Sequence, residues 1–403
     1  MILKGNRMFL WGILGSTFFC AIVLFSVQAE AKVQGQCYFC HTMHNSQDGI
    51  RMVQDPISGG IGAGSDCTGC HNEPRENLVT FTCIGCHAQN ASAGDGIATL
   101  GGYNVPQVLY ADTNEATELS AGNFAHIANN DWTYGHNVHG FQSNGIDPDV
   151  EFAFGTPPPG YTEDMDPSSV KYTSWSYFAA EQQPFCAGTY GCHGNREIES
   201  QTLAMVGSHH ADDSILQLDG SSLNQANQGL TVGTSYRFLS GVKGGEDADW
   251  EYTQGSADHN EYFGATVSGR SGATSQSSVE TMSEFCASCH GNFHMSGTSG
   301  GTGISPGDSS PWIRHPTDVM IPNIAPYNSY VTYELTARVA RTTLPLSASS
   351  STQIGSNSIV FCLSCHKAHA SRQPDMLRYS YDQMTTGGSS SSSKFCFACH
   401  GNT

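Results

Sequence analysis

Cys37-Tyr38-Phe39-Cys40-His41 is the first of seven places in this 403-residue chain where a cysteine pair is followed at once by a histidine. The same Cys-x-x-Cys-His pattern returns at Cys67 and Cys70 with His71, at Cys83 and Cys86 with His87, and at Cys286 and Cys289 with His290. It returns twice more, at Cys362 and Cys365 with His366 and at Cys396 and Cys399 with His400. At the seventh place, Cys186 and Cys192 enclose the longer spacer AGTYG, and His193 still follows. The pattern is that of covalent c-type haem attachment. Two thiols add to the porphyrin vinyl groups as thioethers, a short spacer brings both sulfurs to one ring edge, and the next histidine lies beneath the iron. Disulfides, zinc sites and dithiol redox motifs also use paired cysteines. None of them needs a histidine after every second cysteine, and 17 His in 403 residues do not produce that by chance. Seven covalently attached haems are therefore expected, six at regular motifs and one at Cys186 and Cys192. At that last site the extra residues must loop out, and a disulfide competes.

Proximal ligation by His41, His71, His87, His193, His290, His366 and His400 leaves ten further histidines among the 17. That surplus covers a second axial ligand for every haem. Methionine, the usual rival, is not enriched in the same way, with 11 residues. The spacing of the surplus is informative. His41 and His44 are three apart, as are His366 and His369, while His290 and His294 are four apart. On a helical turn each pair shares one face with Cβ atoms about 5–6 Å apart. Axial ligands of one haem approach from opposite faces. The second histidine of each pair is thus expected to serve a different haem, drawing two porphyrins together. His136 with His139 and the adjacent His209 and His210 invite the same reading, with the choice between the last two open. His126, His259 and His315 are isolated, and spacing alone gives them no partner.

Composition agrees with a cofactor-filled interior. Charged residues are 13% of the chain, against roughly 25% in ordinary soluble domains. The hydrophobic set is 38%, beside 45 glycines. Such a chain is short of core-forming side chains and of surface charge alike. A net charge of −19 disfavours nucleic acid and anionic lipid as partners. Lys4 and Arg7, the apolar run from Met8 to Val27 and the small-x-small site Ala29-Glu30-Ala31 describe a secretory signal peptide over residues 1–31. The run is long enough for an uncleaved anchor, and no later segment is apolar enough to span a bilayer. Cys20 falls inside the run and leaves with it.

The motifs start at residues 37, 67, 83, 186, 286, 362 and 396, which is no fixed period. Between them lie long Gly-, Ser-, Asn- and Asp-rich intervals, with Pro157-Pro158-Pro159 and Ser389–Ser393 as loop signals. Loops of this length argue against a compact domain unless something else organises them. Residues 32–403 are accordingly read as a single seven-haem cytochrome domain. The expected fold class is a multihaem c-type cytochrome: mostly coil, short helices at the haem motifs, a few short β-strands such as Ser235–Leu239 and Tyr330–Leu335, and a haem-centred core.

The block CYFCHTMHNS over Cys37–Ser46 resembles the extracellular multihaem cytochromes of metal-reducing bacteria that form filaments, the OmcS-like cytochrome nanowire family. Gly135–His139, Gly207–His210, Trp312–Asp318 (WIRHPTD) and Cys362–Ser371 (CLSCHKAHAS) have the same flavour. The resemblance implies that His44 ligates a haem of the neighbouring subunit and that haems stack continuously through a head-to-tail homopolymer. It also favours His315 as a distal ligand. Seven motifs, rather than four to six, and the wide Cys186 spacing depart from that family. The function implied is extracellular electron transfer without enzymatic activity, toward redox partners at the cell surface and acceptors such as metal oxides. The alternatives are a periplasmic electron shuttle and a multihaem reductase, which needs one open iron.

Overall fold

The described residues of the computed structural model are 83–89, 94–100, 103–111, 118–127, 132–138, 184–189, 191–198, 203–210, 214–218, 229–266, 280–290, 315–384 and 395–401, with residues 200 and 212 and the backbone of 46–47 and 50–51. The signal peptide (1–31), the first motif (Cys37, Cys40 and His41) and the second motif (Cys67, Cys70 and His71) lie outside them. So do His44, His139 and His294, Pro157–Pro159 and Ser389–Ser393.

Regular elements are short. Strands β1 (Ser46–Gln47) and β2 (Ile50–Arg51) pair antiparallel. Helix α1 (Cys83–His87) is one turn, followed by the antiparallel pair β3 (Ile97–Leu100) and β4 (Tyr103–Pro106). Strands β5 (Phe185–Ala187) and β6 (Gly191–His193) pair in parallel. Then come β7 (Gly244–Gly245), β8 (Glu261–Phe263), α2 (Met282–Ala287), β9 (Val319–Met320), β10 (Ala340–Arg341), β11 (Ser358–Val360), α3 (Cys362–Cys365) and α4 (Cys396–His400). Five strands form one sheet in the order β7-β8-β10-β11-β9, parallel only between β8 and β10. Most of the rest is coil and single 3-10 turns, as the glycine- and serine-rich composition leads one to expect.

Among the described residues the apolar interior falls into three clusters. Leu109, Phe124, Ile127 and Ala370 anchor the first, with Cys186 against its edge. Tyr236, Tyr262, Phe285, Ile359 and Phe361 anchor the second, bordered by Cys192 and Cys286. Ile321, Tyr330, Tyr333, Val339 and Ala398 anchor the third, bordered by Cys399. Motif cysteines thus mark the margins of the side-chain core. Between clusters the packing is ionic. Arg338 Nη1 lies 2.5 Å from Glu251 Oε1, and Arg341 Nε lies 2.6 Å from Glu261 Oε2, all four side chains being buried. Buried pairs of this kind add little net stability, but removing one partner strands a charge. They tie the 244–264 segment to the 330–384 segment.

Two expected strands are absent. Ser235–Leu239 is instead a 3-10 turn at Tyr236–Phe238, with Arg237 and Phe238 at φ of 49° and 59°. Glu246 Oε1 accepts the Arg237 amide at 2.9 Å, which fixes the turned backbone. Tyr330–Leu335 follows a 3-10 turn at Tyr327–Ser329 and holds only isolated bridges, Thr332 to Ser351 and Glu334 to Ala337. Tyr330 Oη donates to the Ala337 carbonyl at 2.5 Å, closing the segment on itself instead of extending it.

Candidate functional site

Helices start at four of the five described motifs or contain them. In α1, α3 and α4 the two cysteines are three apart on one turn, so both thiols project from one face about 5–6 Å apart. Cys286 lies in α2, with Cys289 just past its end. That turn is capped by Thr281, whose side chain accepts from the Glu284 amide at 3.1 Å. The cysteines of the first two motifs, Cys37, Cys40, Cys67 and Cys70, belong to the residues outside the described set, as do His41 and His71.

The wide motif departs from the helical expectation. Cys186 and Cys192 lie on β5 and β6, where Phe185 opposes Gly191 and Ala187 opposes His193, setting the two cysteines abreast. Adjacent strands are about 4.8 Å apart and their neighbouring side chains share a face. The thiols therefore reach the same side at nearly the spacing a helical turn provides. Gly191 permits this, since a Cβ there would stand 2.5 Å from the Ala187 backbone. None of the ten described motif cysteines is in a disulfide, Cys186 and Cys192 included.

The motif histidines share a second device. Nδ1 of His87 lies 2.8 Å from the Pro106 carbonyl, that of His193 2.8 Å from Arg237 and that of His366 2.7 Å from Asp375. His136 Nδ1 reaches the Ala368 carbonyl at 2.7 Å, and His315 Nδ1 that of Pro316 at 2.9 Å. A carbonyl only accepts, so Nδ1 carries the proton and Nε2 keeps its lone pair for a metal. The Arg237 turn that replaced a strand is what offers its carbonyl to His193.

Four imidazole pairs complete the geometry. Ring centres are 6.2 Å apart for His87 and His209, 6.2 Å for His136 and His290, 6.2 Å for His193 and His369, and 5.8 Å for His315 and His400. Two imidazoles bound on opposite sides of one metal, with metal–nitrogen bonds of about 2 Å, have ring centres roughly 6 Å apart. The residues fit haem iron: each pair joins one motif histidine to one histidine outside the motifs. His369 faces His193 rather than its own neighbour His366, as its three-residue spacing predicts. His209, not His210, faces His87. The His369 ring stacks on Phe124 at 4.8 Å and is brought in where Gly122 passes close to the Ala370 backbone. Burial, followed by the nearby His193 and His136, holds His369 down to about 3. Burial, then His87, His210 and His193, holds His209 down to about 4, although its outer edge is exposed. Both rings are neutral at physiological pH and able to ligate.

Two of the three isolated histidines, His126 and His259, are used structurally. His126 Nε2 is 2.5 Å from Glu118 Oε1. His259 is fully buried, with Nδ1 at the Asn260 carbonyl and Nε2 at that of Ser256, and stacks on Tyr333 at 3.6 Å. Among the described residues no second imidazole stands opposite His366. Nothing in the sequence pointed to the carbonyl partners of Nδ1, which come from 1 to 232 residues away.

The motifs also adjoin one another. The Cys286 thiol is pushed up foremost by its hydrogen bond with Cys362, then by burial. Tyr379 Oη is 3.5 Å from Cys396 Sγ and also bonds Cys365. Burial raises Cys192, with Cys289 adding to it and Arg196 opposing.

These sites define a multihaem c-type cytochrome. The family of the doubled CXXCH motif matches residues 357–403, which hold the Cys362 and Cys396 motifs. Among solved structures, the Outer Membrane Cytochrome S filament from Geobacter sulfurreducens is similar at 19% identity over 87% of this chain and 85% of that one, with a TM-score of 0.38. At that score the fold rests on the elements described above. No curated protein matches the chain. Among the described residues no helix is long and apolar enough to cross a membrane.

Proposed function

We propose that the chain is an electron conduit carrying seven haems, including one on Cys186 and Cys192 and one on Cys67 and Cys70, each ligated by two histidines. The observation that carries this reading is the set of four imidazole pairs, because a haem closed on both faces has no position for substrate. When bound, the haem iron supplies reversible one-electron chemistry, and the protein supplies ligation, spacing and burial. The ligand count supports the same reading. Four pairs use His136, His209, His315 and His369. His126 and His259 are engaged elsewhere, so His44, His139 and His294, with His210 to spare, remain for the haems of His41, His71 and His366.

Among the described motifs, adjacency supports a path in chain order from His87 to His400. His87 lies in the electrostatic field of His193, Cys192 in that of Cys289, Cys286 bonds Cys362, and Tyr379 bridges Cys365 and Cys396. We further propose export through the signal peptide, an extracellular location, and head-to-tail polymerisation in which the partner subunit's His44 closes one haem. Acceptors would be redox partners at the cell surface or metal oxides, and the protein would have no enzymatic activity of its own.

Optical and electron paramagnetic resonance spectra of the haem-loaded protein test the conduit. Low-spin signals from every haem, and no carbon monoxide binding after reduction, are expected. A high-spin fraction that binds nitrite would replace the conduit by the reductase reading. Negative-stain microscopy tests polymerisation: filaments from the native protein and dispersed particles from His44→Ala are expected.

A further inference from the structure

Among the described residues of the 237–378 region, the buried and partly buried cations are paired, with one exception. Arg338 meets Glu251 at 2.5 Å, Arg341 meets Glu261 at 2.6 Å, Arg237 meets Glu246 at 3.3 Å, and Lys367 meets Glu118. Arg378 is just as enclosed, at 7% exposure, yet meets no carboxylate among the described residues. Its Nε donates to the Leu363 carbonyl at 2.8 Å and its Nη2 to the Ser120 carbonyl at 3.4 Å. Two carbonyl dipoles satisfy the donors but do not cancel a full charge. Burial, and after it the charge of Arg338, lowers the guanidinium to about 10, so it stays protonated at neutral pH.

The location is specific. Leu363 is a spacer residue between Cys362 and Cys365, and the Arg378 amide donates to the Cys365 carbonyl at 2.8 Å. The adjacent Leu377 bridges the His366 backbone.

We propose that Arg378 is a resident cation that raises the reduction potential of the haem held by Cys362, Cys365 and His366. The inference rests on the haem-conduit reading above. Taking up one electron from a neighbouring haem converts ferric to ferrous iron and lowers the positive charge of the site by one, so a fixed cation alongside favours the reduced state. The cation does so whether it acts directly on the iron or by neutralising a haem carboxylate. Its place between the α2 and α4 motifs makes this haem a step in the middle of the run.

Redox titration of the haem-loaded full chain, followed optically, tests this. In Arg378→Gln one component should move to lower potential, its reduction equilibrium falling about tenfold, or about 59 mV for one electron. Arg378→Lys, which keeps the charge, should remain near the native curve. Arg378→Met removes the charge with an unbranched apolar side chain and should shift the same component downward, which keeps the test open if the glutamine variant does not fold. Unmoved curves for the folded neutralising variants, with haem count by mass and low-spin spectra intact, would overturn the role of Arg378 alone. A native protein lacking the haem count or the low-spin spectrum would instead overturn the conduit.

Discussion

The Cys83–His87 and Cys186–His193 segments present the same set of groups on opposite backbones. In α1 one helical turn aligns two cysteines three residues apart. In β5 and β6, cysteines six residues apart stand abreast across a parallel strand pair, with the intervening loop drawn aside. Parallel strands usually need a long crossover, and here Gly188 at φ 94° lets the chain turn within a few residues. What the two sites share is not spacing. Each presents two thiols on one face about 5 Å apart, a histidine whose Nδ1 is 2.8 Å from a distant carbonyl, and a second imidazole 6.2 Å away. A haem would require that arrangement of groups, and this chain builds it once on a helical turn and once on a strand pair.

The largest test of the equivalence deletes the thiols. Cys186→Ala with Cys192→Ala should lower the haem-to-protein ratio, read by mass spectrometry, by one. Cys83→Ala with Cys86→Ala should do the same. A ratio unchanged by the first double variant, with a disulfide found by thiol labelling of the native protein, would break the comparison and leave Cys186 and Cys192 as a structural pair.

Next in size is the opposing ligand. His369→Ala should convert the haem on Cys186 and Cys192 to a five-coordinate, high-spin species that binds carbon monoxide, and His209→Ala should do the same for the haem on Cys83 and Cys86. His210→Ala should leave the spectrum unchanged, since His209 is the ring that faces His87. A spectrum indifferent to His369→Ala would uncouple the two sites.

The cysteine pairs and the histidines beside them stand out in the sequence, because covalent attachment imposes a local pattern. Spacing also pointed His369 away from His366, and in the fold its ring faces His193. Partner identity was not legible. His136 meets His290, and its Nδ1 meets a carbonyl 232 residues away, and contacts of that range leave no periodic trace. The turn at Arg237 was misread as a strand because β-branched and aromatic neighbours suggest extension. Its carbonyl is bound by His193 and its amide by Glu246, so tertiary contacts overrode local preference. His126 and His259 were separable from the ligands only by the partners they meet in the fold.

Backbone crowding gives a smaller test. Gly191→Ala would place a methyl 2.5 Å from the Ala187 backbone, where no flexible side chain can yield. Overpacking of this kind costs about 1–3 kcal/mol. Thermal unfolding should report that loss, and haem attachment at Cys186 and Cys192 should become incomplete while the helical sites stay fully loaded. Full loading at all sites with native stability would show that the strand pair has slack that its register does not suggest.

The smallest effect falls on the helical design and acts in the opposite sense. The turn that carries Cys286 depends on a cap: Thr281 is 2% exposed and its side chain accepts from the Glu284 amide at 3.1 Å. The β5/β6 site needs no such group, because its amides and carbonyls are held by the neighbouring strand and by Gly188, whose amide donates to the His193 carbonyl at 2.8 Å. Thr281→Ala should therefore cost about 1 kcal/mol, read as a drop of a few degrees in melting temperature. Partial haem loss should be confined to Cys286 and Cys289, and the haem on Cys186 and Cys192 should not respond. Equal loss at both sites would mean that α2 and the strand pair fold as one unit. The buried Arg196 side chain, which donates to Ser288 at 2.7 Å and lies over the Phe285 ring, would be the link between them.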